Sequence, residues 1–150
     1  MEKSSWDKPD NDGFDCLLLF KGRKRTDLIA AYFEAHKLSI DLIVSSLVVR
    51  AYETTKIIAK EVKCQLITHK DLYPGNRSHV FEMIFSQSDK HESLGHNPTV
   101  TSVVHDLNNS AIEWLPSLGL AMVSFDINAW VQIPEATINS SNIITLKMLV

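Results

Sequence analysis

No apolar run in these 150 residues approaches the ~18 needed to cross a bilayer, so a membrane-spanning role is not expected. There are two cysteines, Cys16 and Cys64. They lie far apart, match neither a zinc nor a redox spacing, and fit a reducing compartment. A charge excess of either sign is also missing: 15 Lys and Arg stand against 18 Asp and Glu, a formal charge of -3. That balance offers no general attraction for nucleic acid or an anionic membrane. The polar stretch from Met1 to Asp12 has no apolar h-region, so no signal peptide is expected and the cytoplasm is the default location. Repeats and low-complexity segments are absent as well.

The chain that remains is 45% hydrophobic and 22% charged, which suits one soluble domain, residues 1–150, around a single core. Leu28, Ile29, Tyr32, Phe33 and Ala35 recur at helical spacing over 26–36, with Thr26 or Asp27 as the cap. Ile40 to Val44 is a short apolar run of the kind found in buried parallel strands. Ser46 is placed to cap a second helix over 47–62, whose stripe is Val48, Ala51, Tyr52, Thr55, Ile58, Ala59 and Val62. Further strands are expected at 64–68, 119–125 and 129–133, and further helices at 78–86 and 98–107, the last opened by Pro98. Strands alternating with helices predict an α/β three-layer sandwich on a mainly parallel sheet.

Two strand-to-helix junctions carry polar groups. One is Ser45-Ser46-Leu47-Val48-Val49-Arg50-Ala51, and the other is Leu94-Gly95-His96-Asn97-Pro98. Sites of open α/β sheets form outside the carboxyl ends of strands, where helix N-termini favour anions. Arg50, in a first helical turn, has a guanidinium fork for a phosphoryl oxygen, and His96 has a flat donor for the same anion. Taken singly, each has a plainer reading: a solvated surface arginine, and a capping or packed histidine. His91, His105, Glu92 and Asp106 match no metal spacing, and no metal is expected. His36, His69 and His79 have no motif context, and Glu53, Lys56 and Lys60 read as the solvated face of their helix.

Together, and in this order, these segments resemble the histidine phosphatase superfamily, in particular its compact SixA-like phosphohistidine phosphatases. Ser45-Ser46 through Arg50-Ala51 to Thr54 is similar to the family's S-S-P-x-x-R-A-x-x-T segment, and Gly95-His96-Asn97-Pro98 to its G-H-N-P. Lys3-Ser4-Ser5-Trp6-Asp7 resembles the run after its opening R-H-x motif, and Asp71-Leu72-Tyr73 the boundary before its third helix. The resemblance implies phosphoryl transfer from a phosphohistidine protein or phosphate ester to a nucleophilic histidine. Arg50, His96 and Asn97 would hold the phosphate, and no metal or organic cofactor is implied. Asp71 is a weak match for the variable proton donor.

The pattern also breaks. Counting back from Lys3, Glu2 and Met1 take the x and histidine positions, and no Arg-His dipeptide occurs anywhere. The nucleophile, the first arginine and the first central strand are therefore expected to be missing. Asp89 to Leu94 leaves little room for the strand before Gly95, Leu47 replaces the usual proline, and Cys16 to Phe20 is apolar where the family is polar. The short strand is expected beside 40–45. A gap is expected between it and 119–125 unless Leu17–Phe20 fills it. Three readings follow: a phosphatase inactive as this chain stands, a non-catalytic phosphate- or phosphoprotein-binding module, and a truncated gene product without function.

Overall fold

The structure is a computed structural model that describes residues 17–73, 76–86, 92–93, 99–108 and 114–149. At its centre is β1 (Leu42–Ser46), all five residues of which are buried. It pairs in parallel with β2 (Gln65–His69) on one side and with the two-residue β3 (Glu92–Ser93) on the other. The expected adjacency of the 40–45 strand and the short strand before Gly95 is therefore observed, and the three-stranded sheet is parallel throughout. The chain leaves β1 through α2 (Val49–Val62) and returns as β2, the crossover that parallel pairing requires.

The side chains of β1 divide between two clusters. Ile43 packs with Ile29, Ala30 and Phe33 of α1 (Phe20–Ala35) and with Ile58 and Ala59 of α2. Leu42 and Val44 pack with Val80 and Met83 of α3 (Arg77–Phe85) and with Val103 of α4 (Thr99–Asn108). Successive side chains of a strand point to opposite faces, so helices cover β1 on both. This is why Leu42, Ile43 and Val44 are apolar without a break, while Asp41, just before the strand, is exposed.

Helices α1 and α2 pack together, with Ile29, Ala30 and Phe33 of α1 in one cluster with Ile58 and Ala59 of α2, and each helix also buries small residues, Gly22 and Thr26 in α1 and Ala51 and Thr55 in α2. The buried hydroxyls are satisfied inside their own helices. Thr26 Oγ1 donates to the carbonyl of Gly22 at 3.0 Å, Thr54 to Arg50 at 2.8 Å and Thr55 to Ala51 at 3.0 Å. No polar group of these threonines is left for the core to accommodate. On the other side, α3 is joined to α4 by Arg77 and Asp106 at 2.9 Å. Asn76 caps α3, accepting from the His79 N–H at 3.1 Å, which gives His79 a structural place that its sequence context does not show.

Several boundaries differ from expectation. The first helix starts at Phe20, so Thr26 is a buried interior residue and not a cap. Lysine and arginine are good helix formers, and the run Lys21 to Arg25 extends the helix backwards. Ser46 ends β1 and Val48 occupies the N-cap of α2, so Ser46 does not cap that helix. Residues 130–135 form a 3₁₀ turn and not a strand. Pro134 brings no N–H to a ladder, and Gln132 Oε1 accepts the amides of Asn128 and Ala129 at 3.0 and 3.2 Å. The partner of β4 (Leu120–Phe125) is instead β5 (Ile138–Ile144), antiparallel, before the short α5 (Leu146–Leu149). Among the described residues β4 pairs with β5 alone, and Leu17–Phe20 supplies no strand: Leu18 makes an isolated bridge and Phe20 opens α1.

Candidate functional site at the carboxyl edge of the sheet

The first junction singled out from sequence falls where β1 gives way to α2. Ser45 and Ser46 are fully buried at the strand end, and Ser45 Oγ donates to the carbonyl of Ser46 at 3.1 Å. Leu47 is exposed, Val48 is buried, and the carbonyl of Val48 accepts the amides of Ala51 and Tyr52 at 3.0 and 2.9 Å. Val48, at the N-cap, has no polar side chain to cap this helix, and the positive end of the helix dipole lies at the carboxyl edge of the sheet, where it favours an anion.

Arg50 is the second residue of α2 and is only 7% exposed. It is not the solvated surface arginine of the plainer reading. A guanidinium cannot lose its charge in a protein, so its burial is tolerable only where anions or acceptors meet it. Its own carbonyl is held by the Thr54 hydroxyl, which fixes the first turn of the helix.

The register of the sheet brings a second pair to this edge. Ser46 stands opposite His69, the last residue of β2, and Asp71 follows in a 3₁₀ turn over Lys70–Leu72. The Asp71 amide donates to His69 Nδ1 at 3.4 Å, and Asp71 Oδ2 lies 3.8 Å from the same nitrogen. A nitrogen that accepts an amide proton does not also donate to the carboxylate. The hydrogen bond from the amide is the shorter of the two contacts and ties the turn to the end of β2. His69 has no motif context. The signal that finds it is positional: the end of a parallel strand beside the strand that delivers Arg50.

Glu53 departs from the solvated face expected of it and is half-buried. One turn after Arg50, it accepts the Leu18 amide at 2.9 Å and pairs with Arg23. It fastens the segment entering α1 to the first turns of α2. Lys56, on the outer face, does lie in the open, 5.9 Å from the Tyr52 ring. His105 and Asp106 are neighbours on α4, with Asp106 committed to Arg77. Among the described residues no three His, Cys, Asp or Glu side chains gather as a metal site would need.

His96 and Asn97 belong to the connection between β3 and α4 and lie outside the described residues, as do Met1, Glu2, Lys3 and His91. The strand and the helix that flank this connection are both placed: β3 ends at Ser93 beside Val44, and α4 starts at Thr99.

No protein-family model matches the chain, and no curated protein sequence matches it. Solved structures do. The protein assigned as phosphohistidine phosphatase SixA from Agrobacterium tumefaciens superposes with a TM-score of 0.77 at 19% identity, over 93% of this chain and 91% of that one. A protein assigned as SixA from Nakamurella multipartitia gives 0.73 at 17% identity, over 90% and 88%. The protein histidine phosphatase SixA in complex with tungstate gives 0.75 at 16% identity, over 93% and 90%. The chain is therefore similar over nearly its whole length to these structures and has the α/β histidine-phosphatase fold that they share.

Proposed function

We propose that this chain is a phosphohistidine phosphatase-like protein that holds a phosphoryl group at the carboxyl edge of β1 and, in these 150 residues, does not turn it over. The observation that carries the reading is the burial of Arg50 at an uncapped helix N-terminus directly after β1. Support comes from the neighbour solved with tungstate, a tetrahedral oxyanion of the same shape and charge type as phosphate. Arg50 supplies two parallel N–H donors, and the amides opening α2 supply others. By their resemblance to the family's G-H-N-P segment, His96 and Asn97 are the further candidates to hold the phosphate. The ligand is a histidine-phosphorylated protein or a small phosphate ester.

In the covalent route an imidazole nitrogen attacks phosphorus, the bond to the leaving nitrogen or oxygen breaks, and water then releases phosphate from the phosphoenzyme. Met1 stands at the position matching that imidazole, and a thioether cannot make the phosphoenzyme. Binding substrate without a nucleophile leaves the chemical step uncatalysed. Loss of a covalent nucleophile lowers turnover by a factor on the order of 10⁶ in one well-studied hydrolase. Asp71, in the turn that follows β2, is the candidate proton donor to a leaving group, a role its carboxyl group fills only when protonated.

The test has two parts. Calorimetric titration with tungstate should show binding by the wild-type chain and its loss in Arg50→Ala. Phosphate release from a histidine-phosphorylated protein should be absent, and should emerge when an apolar strand ending in Arg-His-Ala is placed before Lys3. Tungstate affinity indifferent to Arg50 would sink the site. Turnover by the chain as it stands that disappears in Arg50→Ala would show that another residue is the nucleophile.

A further inference from the structure

The start of α1 is built against the usual rules for a helix N-terminus. No side chain caps it and no acidic residue lies in its first turn, while Lys21, Arg23, Lys24 and Arg25 crowd the end where the dipole is already positive. The same segment exposes large apolar side chains: Leu17 is 65% and Phe20 73% accessible, and Leu19 is exposed as well. Arg23 is committed to Glu53, and Arg25 is half-buried. That leaves Lys21 and Lys24 as the outward charges, Lys24 lying 4.8 Å over the Phe20 ring. In a chain of net charge -3 this is a local concentration of positive charge around an apolar centre.

Its place is set by Glu53, which binds the Leu18 amide from the turn of α2 that follows Arg50. The patch is therefore fastened to the turn of α2 next to the one that carries Arg50, and Leu47, exposed between β1 and α2, precedes the same helix. We infer that this surface docks the acidic face of the protein that carries the phosphoryl group, an inference that rests on the function proposed above. Charge complementarity selects the occupant. Two outward lysines fall short of the roughly 4–8 basic residues of a lipid-binding cluster. They fall equally short of the ~6–10 phosphate contacts that give nucleic-acid binding its strength. An apolar anchor with a thin charged rim is instead the anatomy of a protein interface, with the lysines steering the encounter and Phe20 and Leu17 supplying desolvated contact.

The experiment is titration of the chain with an acidic carrier protein phosphorylated on histidine, with the same carrier unphosphorylated, and, separately, with tungstate. Phe20→Ser and the double variant Lys21→Glu/Lys24→Glu should each weaken the carrier by about tenfold or more, whether or not it is phosphorylated. Added salt should weaken the wild type and strengthen the double variant, by screening the repulsion between its glutamates and the acidic carrier. Tungstate affinity should stay at the wild-type value in both. The double variant should also melt at a higher temperature than wild type, because acid replaces base at the helix N-terminus; this separates lost docking from lost folding. Unchanged carrier affinity in both variants overturns the inference, as does tighter binding of phosphatidylserine vesicles than of the carrier. Failure of the phosphoryl-site reading shows separately, as tungstate binding that is absent or indifferent to Arg50→Ala while the unphosphorylated carrier still responds to Phe20 and the lysines.

Discussion

Glu53 Oε2 accepts the backbone amide of Leu18 at 2.9 Å, across thirty-five positions of sequence, while its other oxygen meets Arg23. A single half-buried carboxylate thus holds the entry to α1 against the helix that delivers Arg50. Glu53→Gln keeps the shape and removes the charge. The bond to the amide is charge-assisted, and the arginine pair is half-exposed and weak, so the loss is about 1–2 kcal/mol. Thermal unfolding should fall by about 2–4 °C per kcal/mol for a chain of this size. Hydrogen exchange at the Leu18 amide should accelerate. An unaltered Leu18 exchange rate would mean that the contact does not hold the segment in solution.

The burial of Arg50 makes its two conservative replacements informative. Arg50→Lys retains the charge but not the fork, and Arg50→Met retains the volume alone. Loss of hydrogen bonds to a charged ligand costs about 1.5–3 kcal/mol, roughly 10–150-fold in tungstate affinity, for Arg50→Met. Arg50→Lys should fall between it and wild type. Equal affinity for all three chains, with circular dichroism unchanged, would remove Arg50 from the anion site.

Lys63, after the last turn of α2, has a left-handed backbone with φ 57°, and the Cys64 amide closes on the Ala59 carbonyl at 3.2 Å. A side chain in that conformation costs about 1–2 kcal/mol relative to glycine, offset in part by the freedom that glycine adds to the unfolded chain. Lys63→Gly should therefore raise stability by about 0.5–1 kcal/mol, and Lys63→Val should lower it. Chemical denaturation midpoints decide the matter, and a glycine variant less stable than wild type would contradict the backbone argument.

Gly119 closes the turn before β4, its amide donating to the carbonyl of Pro116 at 2.7 Å. A Cβ there would meet the Leu115 Cγ and the Pro116 oxygen at 2.9 Å each. Leu115 is itself buried, so neither neighbour can retreat freely. Gly119→Ala should destabilise by about 1–3 kcal/mol, the usual range for overpacking. The neighbouring Leu118 has φ 56° and yet is buried in the core cluster of α1 and α2, so packing there outweighs backbone preference. A Gly119→Ala variant with the wild-type melting temperature would show that the turn yields.

Thr26 of α1 and Thr55 of α2 are both fully buried, in two helices that pack together. Thr55→Val exchanges a self-satisfied hydroxyl for a methyl of like size and should change stability by less than about 1 kcal/mol. Thr26→Leu adds volume at a position with no exposure and should cost about 1–3 kcal/mol. Near-equal denaturation midpoints for the two variants would indicate that the helices are farther apart than their small residues suggest.

What the sequence determined by itself is the alternation of elements and the junction that carries Arg50. Ile40 to Val44 announces a strand covered on both faces, and the spacing of Ala51, Thr55, Ile58 and Ala59 announces a helix behind it, because burial writes its period directly into residue type. The resemblance of Ser45 to Thr54 and of Gly95 to Pro98 to phosphohistidine phosphatase segments pointed to the fold that the solved neighbours share. Tertiary structure decided the rest. Whether Arg50 is solvated or buried depends on what packs over the first turn of α2, which no local pattern encodes. Glu53 looked like a surface charge because its partners, Leu18 and Arg23, are remote in sequence. The edge position of His69 exists only through its register with Ser46, and β4 found its partner beyond Pro134, where hydrogen bonding rather than propensity selects the strand. Local periodicity marks the apolar faces; only the folded chain fixes which residues meet across them and which charges are buried among them.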